Sequence, residues 1–174
     1  VSSMLGWRDA FVARGEQLTR LPATALPSQL FLGALGMPGM TAWAGLHKVA
    51  RLQAGETLLV SAASGAVGTM AVQLAKRAGA RVIGSTGSAD KVAYLKTLGA
   101  DAVINYRETP DLDAELARLA PEGIQVYFEN VGGAMLDAAL NNMALHGRIV
   151  LCGLIEQYNS HGQGNGPRNL AHMI

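Results

Sequence analysis

Short apolar runs and amphipathic stretches alternate along the chain from Gly55 onward. The apolar runs predict five strands, at 57–61, 81–84, 102–105, 126–129 and 148–152. Between them, apolar residues at helical spacing predict helices near 67–78, 90–98, 112–119 and 134–143. Because the strands are apolar on both faces, we expect helices to cover both sides of one parallel sheet. The pattern therefore predicts an α/β fold built on a doubly wound parallel sheet.

The first predicted strand ends in a cluster of small residues, Ser61-Ala-Ala-Ser-Gly-Ala-Val-Gly68, and a helix opens directly after it. A strand, a glycine turn and a helix in this order begin a dinucleotide-binding (Rossmann) unit, in which a diphosphate lies against the helix N-terminus. Gly65 would let the backbone approach the phosphates, and Gly68 would let the helix pack closely on the strand. Ala63 stands where this fingerprint usually has its first glycine. Small-residue turns also occur for packing reasons, but the downstream units favour nucleotide binding.

The first third of the chain lacks this alternation. We expect residues 1–26 to be the end of a preceding domain plus a linker, and residues 27–174 to form the dinucleotide-binding domain. Within that domain, 27–35 predict a short helix and 36–43 predict a turn into a second helix, with Pro38 in its first turn. Its inward face is predicted at Met40, Trp43, Ala44 and 47–50. A complete Rossmann fold usually has six strands, so a last strand is expected beyond Ile174 and the sheet is predicted to be truncated.

Composition limits the class of function. Hydrophobic residues make up 49% and charged residues 16% of the chain, as in a compact fold with a large core. The formal net charge of +1 argues against nucleic acid or an anionic membrane surface as the main partner. No apolar run approaches the ~20 residues that span a bilayer. We therefore expect a small-molecule partner, with no nucleic acid and no membrane.

Cys152 is the only cysteine, which rules out an internal disulfide and a zinc cage built from cysteines. It follows an apolar run, so we interpret it as a small buried hydrophobe rather than a nucleophile. The four histidines show no metal-ligand spacing, and no metal site is predicted. A reduced, cytoplasmic protein is expected.

The end of the second predicted strand indicates which dinucleotide is bound. Proteins that select NAD normally carry an acidic residue there, which bonds the ribose 2′-hydroxyl. This chain has Ser85-Thr-Gly-Ser instead, and Lys91 follows in the first turn of the next helix. An ammonium at that place can pair with a 2′-phosphate, so NADPH is favoured, although an ordinary solvated lysine stays open. Tyr106 or Arg107, after the third strand, could reach the same phosphate; alternatively Tyr106 only caps the strand.

Asn130 follows the fourth predicted strand, at the carboxyl edge of the sheet where ligands bind in open α/β folds. Its amide can bond cofactor ribose or backbone. Gly132 and Gly133, which come next, would allow close approach of a ligand, or they form a plain strand-to-helix turn.

Six motifs in order resemble the zinc-independent branch of the medium-chain dehydrogenase/reductases, within it the leukotriene B4 12-hydroxydehydrogenase/prostaglandin reductase group with the curcumin and 2-alkenal reductases. The motifs lie at 35–43, 62–68, 87–95, 98–106, 128–133 and 152–159. The last of them is Cys152-Gly-Leu-Ile-Glu-Gln-Tyr-Asn. The resemblance implies a reductase that uses NADPH to reduce the carbon–carbon double bond of α,β-unsaturated aldehydes and ketones. It also implies a homodimer, and it implies that 1–26 is the remnant of a substrate-binding barrel.

The resemblance further implies site residues. The diphosphate would be held by Gly65, Ala66, Val67 and Gly68, and the adenosine 2′-phosphate by Lys91 and Tyr106. Asn130 would contact the cofactor, and the nicotinamide half would lie near Thr41, Cys152, Gly153, Leu154 and Tyr158. No catalytic side chain is assigned. Two other functions stay open: an NADPH quinone reductase of the same superfamily, and a module that binds NADPH without catalysis.

Overall fold

The computed structural model describes residues 6, 9–158 and 166–169 of the chain. Its centre is a five-stranded sheet in the order β3-β2-β1-β4-β5, and every neighbouring pair is parallel. The strands are β1 Thr57–Val60, β2 Arg81–Thr86, β3 Ala102–Asn105, β4 Ile124–Glu129 and β5 Met143–Leu151. The order reverses beside β1, which pairs with β2 on one side and β4 on the other. This confirms the predicted doubly wound parallel sheet.

Five α-helices accompany the sheet, joined by short strand-to-helix turns. They are α1 Met37–Trp43, α2 Ala66–Arg77, α3 Ala89–Thr97, α4 Leu112–Leu119 and α5 Gly133–Asn141. Helix α1 continues as a π-helical segment, Ala44–Val49, and short 3₁₀ turns lie at Gly15–Gln17, Ser28–Leu32 and Ile155–Gln157. Pro38 lies in the first turn of α1, as predicted. Within the described residues, no helix is long and apolar enough to cross a membrane.

Two apolar cores lie on opposite faces of the sheet. On one face, α2 and the α1 segment (residues 37–49, which are α1 and its π-helical continuation) pack on β1, β2 and β4 through residues such as Leu58, Ala71 and Phe128. On the other face, α4 and α5 cover Leu59, Ile83 and their neighbours. Successive residues of β1 therefore point into different cores. The result is a rigid sheet whose strands all end at one edge, where the loops between strand and helix gather.

The predicted inward face of the second helix is wrong for its large residues and correct for Ala50, which is buried. Met40, Trp43 and Val49 are 67%, 46% and 63% exposed, whereas Ala42, Gly45 and Leu46 are buried. A Cβ built on Gly45 would lie 2.5 Å from Cε2 of the Phe128 ring. The helix thus lies so close to the sheet that mostly small residues fit between them, and the large apolar residues are turned outward.

The last strand also differs from its prediction. It begins at Met143 rather than near 148, and its pairing with β4 shifts register between Ile124 and Val126. His146, inside the irregular part, has a φ of 62°, in the left-handed region. This irregular start has no alternation of apolar and polar residues, which is why the sequence pattern missed it. The short helix expected at 27–35 is a 3₁₀ turn over Ser28–Leu32.

Candidate functional site

The turn between β1 and α2 has the close packing that its glycines allow. A Cβ on Gly68 would lie 2.4 Å from the Ala62 carbonyl oxygen and 2.7 Å from Cα of Ala63. Gly65 is the N-cap of α2 and, as a glycine, has no side chain that could accept hydrogen bonds from the first amides of the helix. These amides, from Ala66 on, are therefore available to a ligand at the turn. Ala62 has a φ of 46°, an uncommon conformation for a residue with a side chain. The turn is held in one shape and presents a helix N-terminus suited to an anion.

The ends of β2 and β3 form the neighbouring part of the edge. Ser64 Oγ and Thr86 Oγ1 share a hydrogen bond of 2.9 Å, which ties the glycine turn to the end of β2. The backbone amide of Tyr106 donates to the Thr86 carbonyl at 3.0 Å. A Cβ on Gly87 would lie 2.6 Å from the Tyr106 hydroxyl oxygen and 3.2 Å from Nε of Arg107. Tyr106 and Arg107 therefore lie directly over the turn that leads into α3.

Lys91 lies in the first turn of α3 and is exposed. Neither Lys91 nor Arg107 forms an ion pair with any residue that the structure describes. Ser88, the N-cap of α3, makes no side-chain capping bond, so the helix N-terminus is also available to a ligand. No carboxylate ends β2, which finishes at Thr86. Two uncompensated cations and a helix N-terminus favour an anionic group at this place.

Asn130 follows β4 and is bonded to the end of β1. Its side-chain nitrogen Nδ2 donates to the Ser61 carbonyl at 2.7 Å, and its backbone amide donates to Ser61 Oγ at 2.8 Å. The amide oxygen Oδ1 accepts no hydrogen bond from a described residue. It is therefore a spare acceptor at the carboxyl edge, as a ribose hydroxyl would require.

Glu129 lies beneath Asn130 and was not among the predicted site residues. It is 0% exposed. Its Oε1 accepts hydrogen bonds from the Ser61 hydroxyl at 2.7 Å and from the Val131 amide, and its Oε2 accepts from the Tyr127 hydroxyl at 2.7 Å. Burial, followed by the charge of Glu129, raises the pKa of Tyr127 well above its ordinary value, so the phenol stays protonated and donates. The sequence did contain a signal for Glu129 as a site residue, because a carboxylate stands at the end of an otherwise mostly apolar strand.

The loop after β5 is joined to the turn after β4. The amides of Cys152 and Gly153 donate to the Glu129 carbonyl at 2.9 and 3.1 Å, and the amide of Ile155 donates to the Asn130 carbonyl at 3.2 Å. A Cβ on Gly153 would lie 2.9 Å from the Tyr158 hydroxyl oxygen. These contacts bring four of the predicted cofactor-binding residues together: Asn130, Cys152, Gly153 and Tyr158. Cys152 is a half-buried free thiol, and burial raises its pKa.

A cavity of about 290 Å³ lies at the carboxyl edge between the two halves of the site. Leu154, also predicted for the site, packs beside it: a Cβ on Gly132 would lie 3.4 Å from Cδ2 of Leu154. The Glu156 carboxylate lies against Gly133 at the start of α5. The residues that line the cavity are Ser85, Tyr106, Leu112, Val131, Gly132, Ala134, Met135 and Glu156.

Thr41 stands apart from this group. It lies on α1, donates a hydrogen bond of 3.5 Å to the sulfur of Met37, and lines a separate cavity of about 1030 Å³. None of the other predicted site residues in the described ranges lines that cavity. Across residues 6, 9–158 and 166–169, no three His, Cys, Asp or Glu side chains gather into a group able to hold a metal ion. Asn159, the last residue of the last motif, is outside the described residues.

Comparison with known proteins gives the site a context. The profile of the zinc-binding dehydrogenase family matches residues 66–170. The NADP(+)-dependent 2-alkenal reductase of Nicotiana tabacum is 49% identical over 100% of this chain and 51% of its own length. Prostaglandin reductase 1 of Mus musculus is 44% identical over 96% of this chain and 53% of its own. The chain thus spans about half the length of these relatives.

Among solved structures, CurA from Vibrio vulnificus in complex with NADPH superimposes with a TM-score of 0.78. It is 42% identical, and the match covers 87% of this chain and 45% of that one. The family profile, the two relatives and this structure agree with the six sequence motifs. The chain therefore belongs to the zinc-binding dehydrogenase family, and among its members it is similar to the 2-alkenal and prostaglandin reductases.

Proposed function

We propose that this chain binds NADPH along the carboxyl edge of its sheet, and that the protein reduces the carbon–carbon double bond of α,β-unsaturated aldehydes and ketones. The observation that carries the proposal is the glycine turn at the N-terminus of α2, together with the two cations of the neighbouring loops. These cations, Lys91 and Arg107, form no ion pair with a described residue. The NADP(+)-dependent 2-alkenal reductase and the CurA complex with NADPH support the choice of cofactor and reaction.

In this proposal the diphosphate lies on the turn formed by Gly65, Ala66, Val67 and Gly68, where the first amides of α2 donate to it. The 2′-phosphate lies between Lys91 and Tyr106, with Arg107 beside them. The adenosine extends toward the cavity of about 290 Å³, whose lining is mostly apolar with a few polar groups, as nucleotide sites require. The site for the 2′-phosphate requires glycine at position 87, because a side chain there would fill the space next to the Tyr106 hydroxyl.

The nicotinamide half would lie on Asn130, Cys152, Gly153, Leu154 and Tyr158, whereas Thr41 lines a separate cavity and is not placed against it. When bound, NADPH would supply the hydride for the β-carbon of the substrate, and the α-carbon would take up a proton. The chain supplies position, because its loops are hydrogen-bonded to one another and hold the reacting face in place. The Tyr158 hydroxyl, against Gly153, is the side-chain donor at this end of the site that we would test first.

Calorimetry with NADPH and NADH tests the cofactor assignment on the 174-residue chain. We expect tighter binding of NADPH. Lys91→Ala should weaken NADPH about tenfold, equivalent to about 1.4 kcal/mol, and leave NADH unchanged. Lys96→Ala is the matched control, because Lys96 lies in the last turn of the same helix and should change neither affinity. Equal affinity of the chain for the two cofactors would refute the 2′-phosphate site.

Turnover tests the reaction, and it requires the full-length gene product. We expect NADPH consumption with an enal or an enone, and formation of the saturated carbonyl compound. A quinone as the only accepted substrate would instead support the quinone reductase. NADPH binding with no turnover of either substrate would support a binding module without catalysis.

We propose further that residues 27–174 form the dinucleotide-binding domain, that 1–26 belong to a substrate-binding barrel, and that the protein is a cytoplasmic homodimer. The α-helices and β-strands of the described residues all follow Leu32, which supports this boundary. Sedimentation of the full-length protein at the mass of a monomer would refute the dimer. Cell fractionation tests the location.

A further inference from the structure

Glu129 is a buried carboxylate without an ionic partner. It is 0% exposed, and no cation of the described residues forms an ion pair with it. Burying a charged group is unfavourable unless hydrogen bonds compensate it. Here the compensation comes from three donors: the Ser61 hydroxyl, the Tyr127 hydroxyl and the Val131 amide. An apolar residue would fill the end of β4 without this cost, so the carboxylate calls for a role other than packing.

The two carboxylate oxygens face different parts of the molecule. Oε2 bonds Tyr127, within β4 and in the core below α5. Oε1 bonds Ser61 and Val131, and Ser61 Oγ in turn accepts the backbone amide of Asn130. Two backbone amides that flank the Asn130 side chain are thus linked to Oε1 of Glu129. The Val131 amide donates to it directly, and the Asn130 amide is linked to it through the Ser61 hydroxyl.

This arrangement allows only one orientation of the Asn130 amide. Its Nδ2 donates to the Ser61 carbonyl at 2.7 Å. A flipped amide would place Oδ1 against that carbonyl, and two acceptors repel. Oδ1 is therefore held away from β1 with no described donor, as the free acceptor of the site.

We propose that Glu129 is a positioning residue for cofactor binding, which acts through Ser61 and Val131 to hold the Asn130 amide in its binding orientation. This inference rests on the proposed binding of NADPH. Glu129 is fully buried and would not contact the cofactor. Its role would be to order Asn130, the residue that would contact the cofactor.

NADPH affinity of the 174-residue chain, measured by calorimetry, tests the inference. Glu129→Ala should raise Kd about tenfold, and Asn130→Ala should do the same. Because Glu129 acts through Asn130, the double variant should be within about twofold of Asn130→Ala alone. Ser61→Ala, which removes the relay hydroxyl and keeps the carboxylate, should match Glu129→Ala. Glu129→Gln keeps an acceptor oxygen for Ser61 and should stay within about threefold of wild type.

Tyr127→Phe separates positioning from stability. It removes the hydrogen bond to the other carboxylate oxygen, so it should lower the midpoint of unfolding and leave Kd within about twofold. A change below twofold in Glu129→Ala, additive effects in the double variant, or an equal loss of affinity in Tyr127→Phe would overturn the inference.

A readout without cofactor separates this inference from the proposed function. If the wild-type chain binds no NADPH, the cofactor proposal fails for this chain, and proton exchange at the Asn130 side-chain amide decides the rest. We expect slow exchange in wild type and Tyr127→Phe, and exchange at least about fivefold faster in Glu129→Ala and Ser61→Ala. Equal exchange rates in all four proteins would overturn the positioning role. Ser61→Ala serves both measurements should Glu129→Ala not fold.

Discussion

Gly68→Ala should destabilise the fold, although alanine is the better helix former. The added Cβ would lie 2.4 Å from the Ala62 carbonyl oxygen and 2.7 and 2.8 Å from two backbone atoms of Ala63. All three atoms belong to a backbone turn that is bonded to β2 through the Ala63 amide and Ser85, so they have little room to move. Overpacking of this kind costs about 3 kcal/mol at the upper end, and the gain in helix propensity returns about 1 kcal/mol.

The net loss of about 2 kcal/mol corresponds to a fall in Tm of about 4–8 °C for a chain of this size. Thermal and urea unfolding followed by circular dichroism measure it. Gly65→Ala is the control, because its Cβ would meet only the Ala62 carbonyl oxygen, at 3.2 Å, and its φ of −78° suits alanine. We expect its Tm within about 2 °C of wild type. A Gly68→Ala chain as stable as wild type would refute the reasoning.

Two further predictions concern the ion pairs and the phosphate site. Desolvation raises the pKa of Glu56, but the hydrogen bonds from Arg148 and Gln53 and the charge of Arg148 outweigh it and lower the pKa below 4.5. The stabilisation is therefore present above pH 4.5 and is lost as pH falls through the lowered value. Glu56→Gln should cost about 1 kcal/mol in urea unfolding at pH 7 and almost nothing at pH 2; an equal cost at both values would contradict this. Gly87→Ala should displace the Tyr106 hydroxyl and weaken NADPH about fivefold in calorimetry, with NADH and Tm unchanged; an equal loss for both cofactors would contradict it.

The sheet could be predicted from the sequence because its strands are buried on both faces. A strand such as β3 Ala102–Asn105 is an apolar run that ends in one polar residue, it lies between two helices, and its predicted bounds agree with the structure. The α1 segment could not be predicted in the same way. Its π-helical part, Ala44–Val49, breaks the spacing of 3.6 residues on which the pattern depends, and close contact with Phe128 selects Gly45 for the buried face. Helical spacing identifies the inward face only where large residues fill the gap.

The candidate site divides along a similar line. Gly65 lies in the turn that follows β1 and Asn130 in the turn that follows β4, so the parallel topology brings both turns to one edge of the sheet. The network beneath Asn130 depends on contacts between Ser61 and Glu129, which are 68 positions apart in sequence, and no local pattern encodes such a pair. The place of Thr41 depends on how the α1 segment lies on the sheet, and that was the part of the fold predicted least well.

Two cations at the carboxyl edge of the sheet stay open to an anionic ligand, whereas two near the start of the strands are held in ion pairs. Near the start of the strands, Arg148 is paired with Glu56 at 2.7 Å and Lys76 with Asp101 at 2.8 Å, so these cations stabilise the fold and are compensated. At the carboxyl edge, Lys91 and Arg107 have no described ion pair. Exposed charges of this kind are screened by salt, whereas bonds to the glycine turn depend on it much less. The preference for NADPH over NADH should therefore shrink as ionic strength rises; a preference that is independent of salt would place the selectivity in shape rather than in charge.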